Sequence, residues 1–332
     1  MLARSYERAK AILDSFEHKR VFVVGDVMLD ESYHGTVSPN PESGAPKFKV
    51  NHKSRKANTG GAGNVARNAA ALDANVDLLA VIGSNPPGWE ILKLAELEGY
   101  RPHIIEIPGN NWITTRKTRY IDQWNHHVLR VDEDPEEPLP DDIEKRLISY
   151  CAEYIKEAEA VIVSDYRKGV VTPKLAEVLK KLVRKRGIPM LVDVKPQNAP
   201  LFMGVDMFSP NQEEARAFLG RPDGKEPLEE VAQEVSKKFA TTLFLTAAEQ
   251  GIYVSSHGGK ALLIPQRHRI EVADTSGCGD TAAVVILLSM LCSARVDEAA
   301  ELANAAGAEV ASHIGAVAPT RDEVLARLTR ED

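Results

Sequence analysis

The run Val272-Ala273-Asp274-Thr275-Ser276-Gly277-Cys278-Gly279-Asp280-Thr281, continued by Ala282-Ala283-Val284-Val285-Ile286-Leu287-Leu288, decides how the rest of the chain is read. Two glycines allow a tight turn, and the apolar run predicts a buried helix whose first turn holds Gly279, Asp280 and Thr281. Amides at a helix start lack intrahelical partners and sit at the positive end of the helix dipole, so they form an anion site. A carboxylate beside an anion site suits phosphoryl transfer, where amides hold phosphoryl oxygens and a base takes the proton of the attacking hydroxyl. The same letters also describe a helix N-terminus capped by an acid, so the motif alone leaves both readings open.

Outward from that stretch, short apolar strands alternate with helices. Val21-Phe22-Val23-Val24-Gly25 reads as a buried parallel strand, with Asp26 as a turn residue and Asp30 as a ligand residue at or just past its carboxyl end. Further strands are read at 76–83, 160–165, 189–193, 207–209, 242–246 and 251–254, and helices at 89–99, 173–186 and 296–313. This alternation predicts a mostly parallel sheet covered on both faces. Asp30, Asp165, Asp193, Asn211 and Thr246 recur near strand ends, where open α/β sheets bind ligands, and suggest one groove along the sheet edge. Between Glu31 and Thr59 the pattern weakens around Pro39, Pro41 and Pro46, and Lys47-Phe48-Lys49-Val50 alternates, which fits a small edge-exposed lid.

The cluster Thr59-Gly60-Gly61-Ala62-Gly63-Asn64 opens a small-residue helix. Gly61, Gly63 and Ala66 satisfy a dinucleotide-binding spacing, but the polar residues before them are no buried strand, so close approach to a hydroxylated ligand, with Asn64 bonding it, is the better reading. In Thr114 to Ile121, period two places Lys117 and Arg119 on one face and Arg116 on the other, giving a pocket for an anionic substrate or a solvated face. Asp132 to Asp142 is acidic and proline-rich, a surface connection. Asn304 and Gly307 leave room for another helix or a flat ring.

With 332 residues, 43% hydrophobic and 27% charged, the composition is that of a globular protein with a large core. The net charge of −7 argues for a small-molecule partner and against nucleic acid or an anionic membrane. No apolar run reaches membrane-spanning length and no signal-peptide core opens the chain, so a cytoplasmic location is expected. Cys151, Cys278 and Cys292 make no metal-type spacing and no disulfide framework. Cys278 at the helix start is read as contributing its amide rather than a thiolate.

Two signatures together, Gly60-Gly61-x-x-Asn64 and Asp274-Thr275-x-Gly277-x-Gly279-Asp280, resemble those of the ribokinase-like sugar kinases, and the resemblance covers nearly the whole chain. Within that family the chain looks most like the kinase half of the heptose-7-phosphate kinase/heptose-1-phosphate adenylyltransferase group, through Gly25 to Asp30, Lys117-x-Arg119, Leu129 to Asp132, Ser164 to Val170 and Pro210-Asn211-x-x-Glu214. The resemblance implies one αβα sandwich over 1–332 with a Rossmann-like sheet and a β lid from segments 31–58 and 110–131, often used for homodimerisation. It makes Asp280 the base and the amides of Gly277, Cys278 and Gly279 the anion hole. Asp30, Gly60, Gly61, Asn64, Lys117 and Asp165 would hold the sugar or sugar phosphate, with Arg119 and Arg130 beside Lys117 for a phosphate. Asn211 and Glu214 would act near Mg²⁺ and the ATP phosphates. Thr246, Glu249, Gly251 and Asn304 would line the nucleotide site, and Asp274 matches a monovalent-cation position for K⁺.

The expected reaction is ATP-dependent phosphorylation of a sugar or sugar-phosphate hydroxyl, heptose 7-phosphate above all. Ribose, fructose or fructose-phosphate kinases and a silent sugar-binding protein are the alternatives. The segments 38–47 and 83–88, Val194 and Ala247-Ala248 depart from the heptose-kinase pattern, and these departures bear on the sugar rather than on Asp280. No Walker-type loop and no H-x-G-H nucleotidyltransferase signature occurs, so kinase chemistry without adenylyl transfer is expected.

Overall fold

Val21 and Val23 pack into one apolar layer while Phe22 and Val24 pack into the other. A strand buried on both faces has no polar side, as a parallel sheet covered by helices requires. The computed structural model describes residues 2–109, 112–267 and 271–329. Met1, residues 110 and 111 at the start of the second expected lid segment, residues 268–270 and residues 330–332 lie outside the described residues.

In chain order the strands are β1 (Arg20–Gly25), β2 (Val27–Pro39), β3 (Pro46–Val50), β4 (Lys56–Gly61), β5 (Asn75–Gly83), β6 (Arg101–Ile107) and β7 (Arg116–Ile121). They continue with β8 (His127–Glu133), β9 (Ala160–Asp165), β10 (Met190–Val194), β11 (Met207–Phe208), β12 (Thr242–Thr246), β13 (Gly251–Ser256) and β14 (Leu262–Pro265). Among the described residues the main sheet has nine strands in the order β14-β13-β12-β11-β10-β9-β1-β5-β6. From β12 to β6 the pairs are parallel, and β13 and β14 add antiparallel edges. The helices Ala62–Ala71, Cys278–Leu291 and Val296–Ala311 cover one face, and Asp141–Tyr154, Pro173–Arg186 and Leu228–Phe239 cover the other. The fold is therefore an α/β sandwich with a mostly parallel central sheet.

Helix limits follow local chemistry. Thr172 accepts from the Leu175 amide, Pro173 opens the helix, and Gly187 ends it in the left-handed region. The helix Cys278–Leu291 is apolar on every side and buried on every side, between the sheet and its neighbours.

The second sheet is formed by the segments expected to make the lid, and is called the lid below. The inner half of β2 pairs with β4 on one side and, in parallel, with β7 on the other, while its outer half pairs with β3 and β7 carries β8. The chain passes from β1 through Asp26 straight into β2, so Asp30 lies within the lid sheet rather than at the carboxyl end of β1. The polar residues before Gly60, read as no buried strand, run into β4, a strand outside the main sheet whose first three residues are exposed or half-buried, and β6 adds an edge strand that the sequence did not announce. The surface connection starts one residue pair later than read, because Asp132 and Glu133 complete β8. Among the described residues no helix is long and apolar enough to cross a membrane.

Candidate active site

Gly277 caps the helix Cys278–Leu291 with φ of 84°, and a Cβ there would stand 2.9 Å from Asn64 Nδ2 and 3.1 Å from Ala316 Cβ. Both the backbone conformation and the space call for glycine. One turn on, Asp280 is buried, accepting from Asn64 Nδ2 at 2.6 Å through Oδ2 and from the Tyr166 hydroxyl at 3.0 Å through Oδ1. Burial pushes the Asp280 carboxyl up to about 6, against the pull of these two donors. A carboxylate in that range can take up a proton near neutral pH.

The Asn64 amide is itself oriented. Arg67 Nη2 donates to Asn64 Oδ1 at 2.6 Å, Asn68 Nδ2 donates to the same oxygen at 3.2 Å, and Thr281 Oγ1 donates to Asn68 Oδ1 at 2.7 Å. With its oxygen held by donors, Asn64 must present its NH₂ to Asp280.

In front of Asp280 a cavity of about 480 Å³ opens between the helix start, the lid sheet and residues 314–318. Its size suits a small ligand. Register places Asp30 between Asn58 and Lys117, and Ser32 between Lys56 and Arg119, on the lid face that lines the cavity. Arg119 Nη1 bonds Asp30 Oδ1 at 2.9 Å. Burial lowers the Lys117 ammonium, which Asp30 opposes. Arg116 points to the other face and pairs with Glu133, as period two predicts.

Among the residues singled out from sequence, Asp30, Gly61, Asn64, Lys117, Arg119, Asp274, Gly277 and Asp280 line this cavity. Others do different work. Gly60 makes room for the Asp30 side chain, whose Oδ2 a Cβ would meet at 2.1 Å. Asp165 is not in the cavity wall: it is buried, and its oxygens accept from the Arg167 amide and from Asn198 Nδ2. Asp26 is no exposed turn residue but a buried anchor that accepts from the amides of Tyr166, Lys168 and Val170. Burial, with the charge of Asp165 close by, raises its carboxyl to about 6. Arg130 is exposed, outside the cavity lining, and pairs with Asp132.

Asp274 accepts from the amides of Ser276 and Gly315, which fastens the segment 314–318 to the glycine turn and, despite burial, holds its carboxyl below the usual range. Burial, together with Asp274 and Asp280, pushes the Cys278 thiol up to about 11, which supports reading this residue through its backbone. The Cys278 amide bonds the Thr275 carbonyl at 3.3 Å within the turn, so in this state it is not turned to an anion.

Of the residues expected at the nucleotide site, Asn211, Thr246 and Gly251 lie together at strand ends of the main sheet. Asn211, past the end of β11, bridges Thr246, the last residue of β12, and Gly251 opens β13 beside them. Asn211 caps the helix Gln212–Phe218 in a reciprocal box with Glu214, whose Oε1 accepts from Lys195 Nζ at 2.6 Å. Burial pushes the Asp193 carboxyl well up, with repulsion from Glu214 and Asp280 adding to it. Glu249 is exposed. Asn304 Nδ2 donates to the Ile264 carbonyl at 2.9 Å, tying the helix Val296–Ala311 to β14. Among the described residues no group of three or more histidine, cysteine, aspartate or glutamate side chains could hold a metal ion.

Residues 19–323 match the family model described as pfkB family carbohydrate kinase. The chain belongs to the pfkB carbohydrate kinase family. It is 34% identical over 316 residues to the bifunctional protein HldE of Trichlorobacter lovleyi, covering 94% of this chain and 63% of that protein. To the HldE of Gluconobacter oxydans it is 32% identical over 330 residues, covering 96% of this chain and 66% of that protein. The chain thus spans just under two thirds of the length of these relatives. The solved phosphofructokinase-2 of Escherichia coli, in complex with substrates and products, superposes with a TM-score of 0.78 at 19% identity, over 94% of this chain and 100% of that one. The ribokinase of Arabidopsis thaliana, complexed with ribose and ATP, gives 0.70 at 22% identity, over 95% and 100%. These likenesses show the shared fold. The family that this match names is one of carbohydrate kinases.

Three features of the site escaped the sequence reading. Tyr166 lies next to Asp280, Arg67 orients Asn64, and Lys195 faces Glu214. Arg67 carries a readable clue, since helical spacing puts it three residues from Asn64. Tyr166 and Lys195 follow strand ends, where a loop decides direction.

Proposed function

We propose that this pfkB-family kinase phosphorylates a sugar that already carries phosphate, with heptose 7-phosphate converted to heptose 1,7-bisphosphate as the leading case. The observation that carries this reading is the lid wall: Lys117, Arg119 and Lys56 line the cavity that Asp280 also lines. The cations suit a substrate phosphate, and the carboxylate suits the reacting hydroxyl. Relationship to HldE proteins over nearly the whole chain supports a heptose phosphate over other sugar phosphates.

In the proposed reaction the sugar hydroxyl oxygen bonds to the γ-phosphorus of ATP. The bond from that phosphorus to the β,γ-bridging oxygen breaks, its electron pair leaves with ADP, and the hydroxyl proton passes to Asp280. Asn64 and Tyr166 hold the carboxylate while this happens. The amides of Gly277 and Gly279, at the positive end of the helix, are assigned to the phosphoryl oxygens; the Cys278 amide joins them only by leaving Thr275. Asp30, Gly61 and Asn64 are assigned to the sugar, and Thr246, Glu249, Gly251 and Asn304 to the nucleotide edge.

Magnesium fits this donor set. Asp193 and Glu214 repel each other beside Lys195, and a nucleotide-borne cation needs only one or two protein carboxylates. Asn211 and Glu214 would stand near it, and when bound it supplies positive charge across the phosphates. Asp274, kept ionised by two amides, would supply charge for a potassium ion.

A homodimer through the lid belongs to the same reading. On the edge strand β8, Val128, Leu129 and Val131 are 42%, 56% and 41% exposed, and Trp124 beside it is 66% exposed. Leu129→Asp should then give a monomer by sedimentation, and an unchanged dimer would reject this face.

The test of function is ADP release measured over heptose 7-phosphate, fructose 6-phosphate, ribose and fructose. Sugar phosphates should exceed free sugars in kcat/KM by at least about tenfold, with heptose 7-phosphate highest. A preference for free sugars would reject the phosphate subsite.

A further inference from the structure

The loop after β9 is shaped for a purpose that its neighbours do not explain. Arg167 has φ of 58° and Gly169 has φ of 104°, two residues in the left-handed half of backbone space within one short turn. Two buried carboxylates hold it there, Asp26 through the amides of Tyr166, Lys168 and Val170, and Asp165 through the amide of Arg167. A loop tied at four amides within five residues delivers its one aromatic side chain to a fixed place. That side chain is Tyr166, whose hydroxyl donates to Asp280 Oδ1 at 3.0 Å.

The ring sits at a junction. Lys117 Nζ, on the lid, and Lys195 Nζ, past the end of β10, each lie 5.0 Å from its centroid. Both distances fit cation–π contact. Lys117 belongs to the wall assigned to the sugar and Lys195 contacts Glu214 on the nucleotide side, so Tyr166 stands where the two halves of the site meet.

We propose that Tyr166 is a positioning residue for phosphoryl transfer: its hydroxyl, opposite the Asn64 amide, clamps the Asp280 carboxylate in its ionised form and in one orientation. The assignment rests on Asp280 being the base. A donor to a carboxylate favours the ionised form, because the hydrogen bond strengthens with the negative charge. Asp280 is faced by Asp30 from the lid, Asn64 from the helix Ala62–Ala71, Tyr166 after β9, Asp193 and Lys195 at β10, and Cys278 in its own turn. Of these, Tyr166 and Asn64 donate directly to its oxygens. Burial and the charge of Asp280 raise the Tyr166 hydroxyl far above its ordinary value, so it stays a donor throughout the working pH range.

The experiment is a carboxyl-carbon NMR titration of the full chain labelled in its aspartates, with the Asp280 signal identified by its loss in Asp280→Asn. Tyr166→Phe removes the hydroxyl and keeps the ring. In that variant Asp280 should titrate about one pH unit higher than in the unaltered protein, the value of one charge-assisted hydrogen bond. A ring-fluorinated tyrosine at 166, a stronger donor of the same shape, should move it the other way, and serves if the phenylalanine variant does not fold. An Asp280 titration unchanged in both variants would overturn the proposal. The readout needs no substrate. If Asp280→Asn retains full ADP release while the titration still moves, the choice of base fails and the clamp stands.

Discussion

In the main sheet β9 is buried at all six positions, whereas β8 in the lid is exposed at six of seven. Both strands are rich in valine, and both end in an acid. The difference lies in what covers them. β9 is closed in by strands and helices and delivers a loop tied by buried carboxylates, so the groups beside Asp280 have few alternative positions. The lid has one face toward the cavity and one away from it, and its polar side chains are held by ion pairs such as Arg119 with Asp30 and Arg55 with Glu31 and Glu90. On the proposed reading, the chemistry lies at the buried edge and the choice of substrate in the exposed wall.

If that division holds, substitutions at the buried edge should act on turnover and those in the lid on binding. The largest effect is expected from Asp280→Asn, a fall in kcat of about a thousandfold with ATP affinity retained, read by ADP release and calorimetry. Next comes Gly277→Ala, where the added methyl meets Asn64 and the left-handed backbone is strained. It should lower stability by about 1–3 kcal/mol in denaturant unfolding and disturb the orientation of Asp280. Lys117→Ala should raise KM for a sugar phosphate by about tenfold and leave kcat within about twofold. The smallest effect is expected from Arg130→Ala, which removes an exposed pair with Asp132 and should change neither KM nor stability by more than about 0.5 kcal/mol. A change in KM at Arg130 equal to that at Lys117 would mean that the cavity extends along β8.

Much of this was legible in the chain itself. Gly277, Asp280 and the apolar helix after them announce their own conformation, because a turn residue, an acid in the first turn and an all-apolar run each act locally. Period two placed Lys117 and Arg119 together and Arg116 apart, since strand geometry leaves no other choice. Asp165 and Asp26 illustrate where local reasoning stops. Both stand near strand ends, yet one loop turns both carboxylates inward onto amides that are distant in sequence from Asp26. Asn304 was placed by a strand 40 residues earlier, whose carbonyl takes its amide. Tyr166 was hidden for the same reason: its position depends on two left-handed residues after it and on Asp26, 140 residues before it.

The most direct test of Asp280 as the base is the pH dependence of kcat/KM for ADP release, which reports the ionisation of the free enzyme. Burial raises Asp280 to about 6, so the rate should be level above that pH and fall about tenfold for each unit below it as the carboxylate takes up its proton. A rate that stays level well below that point, with the protein still folded, would contradict the account.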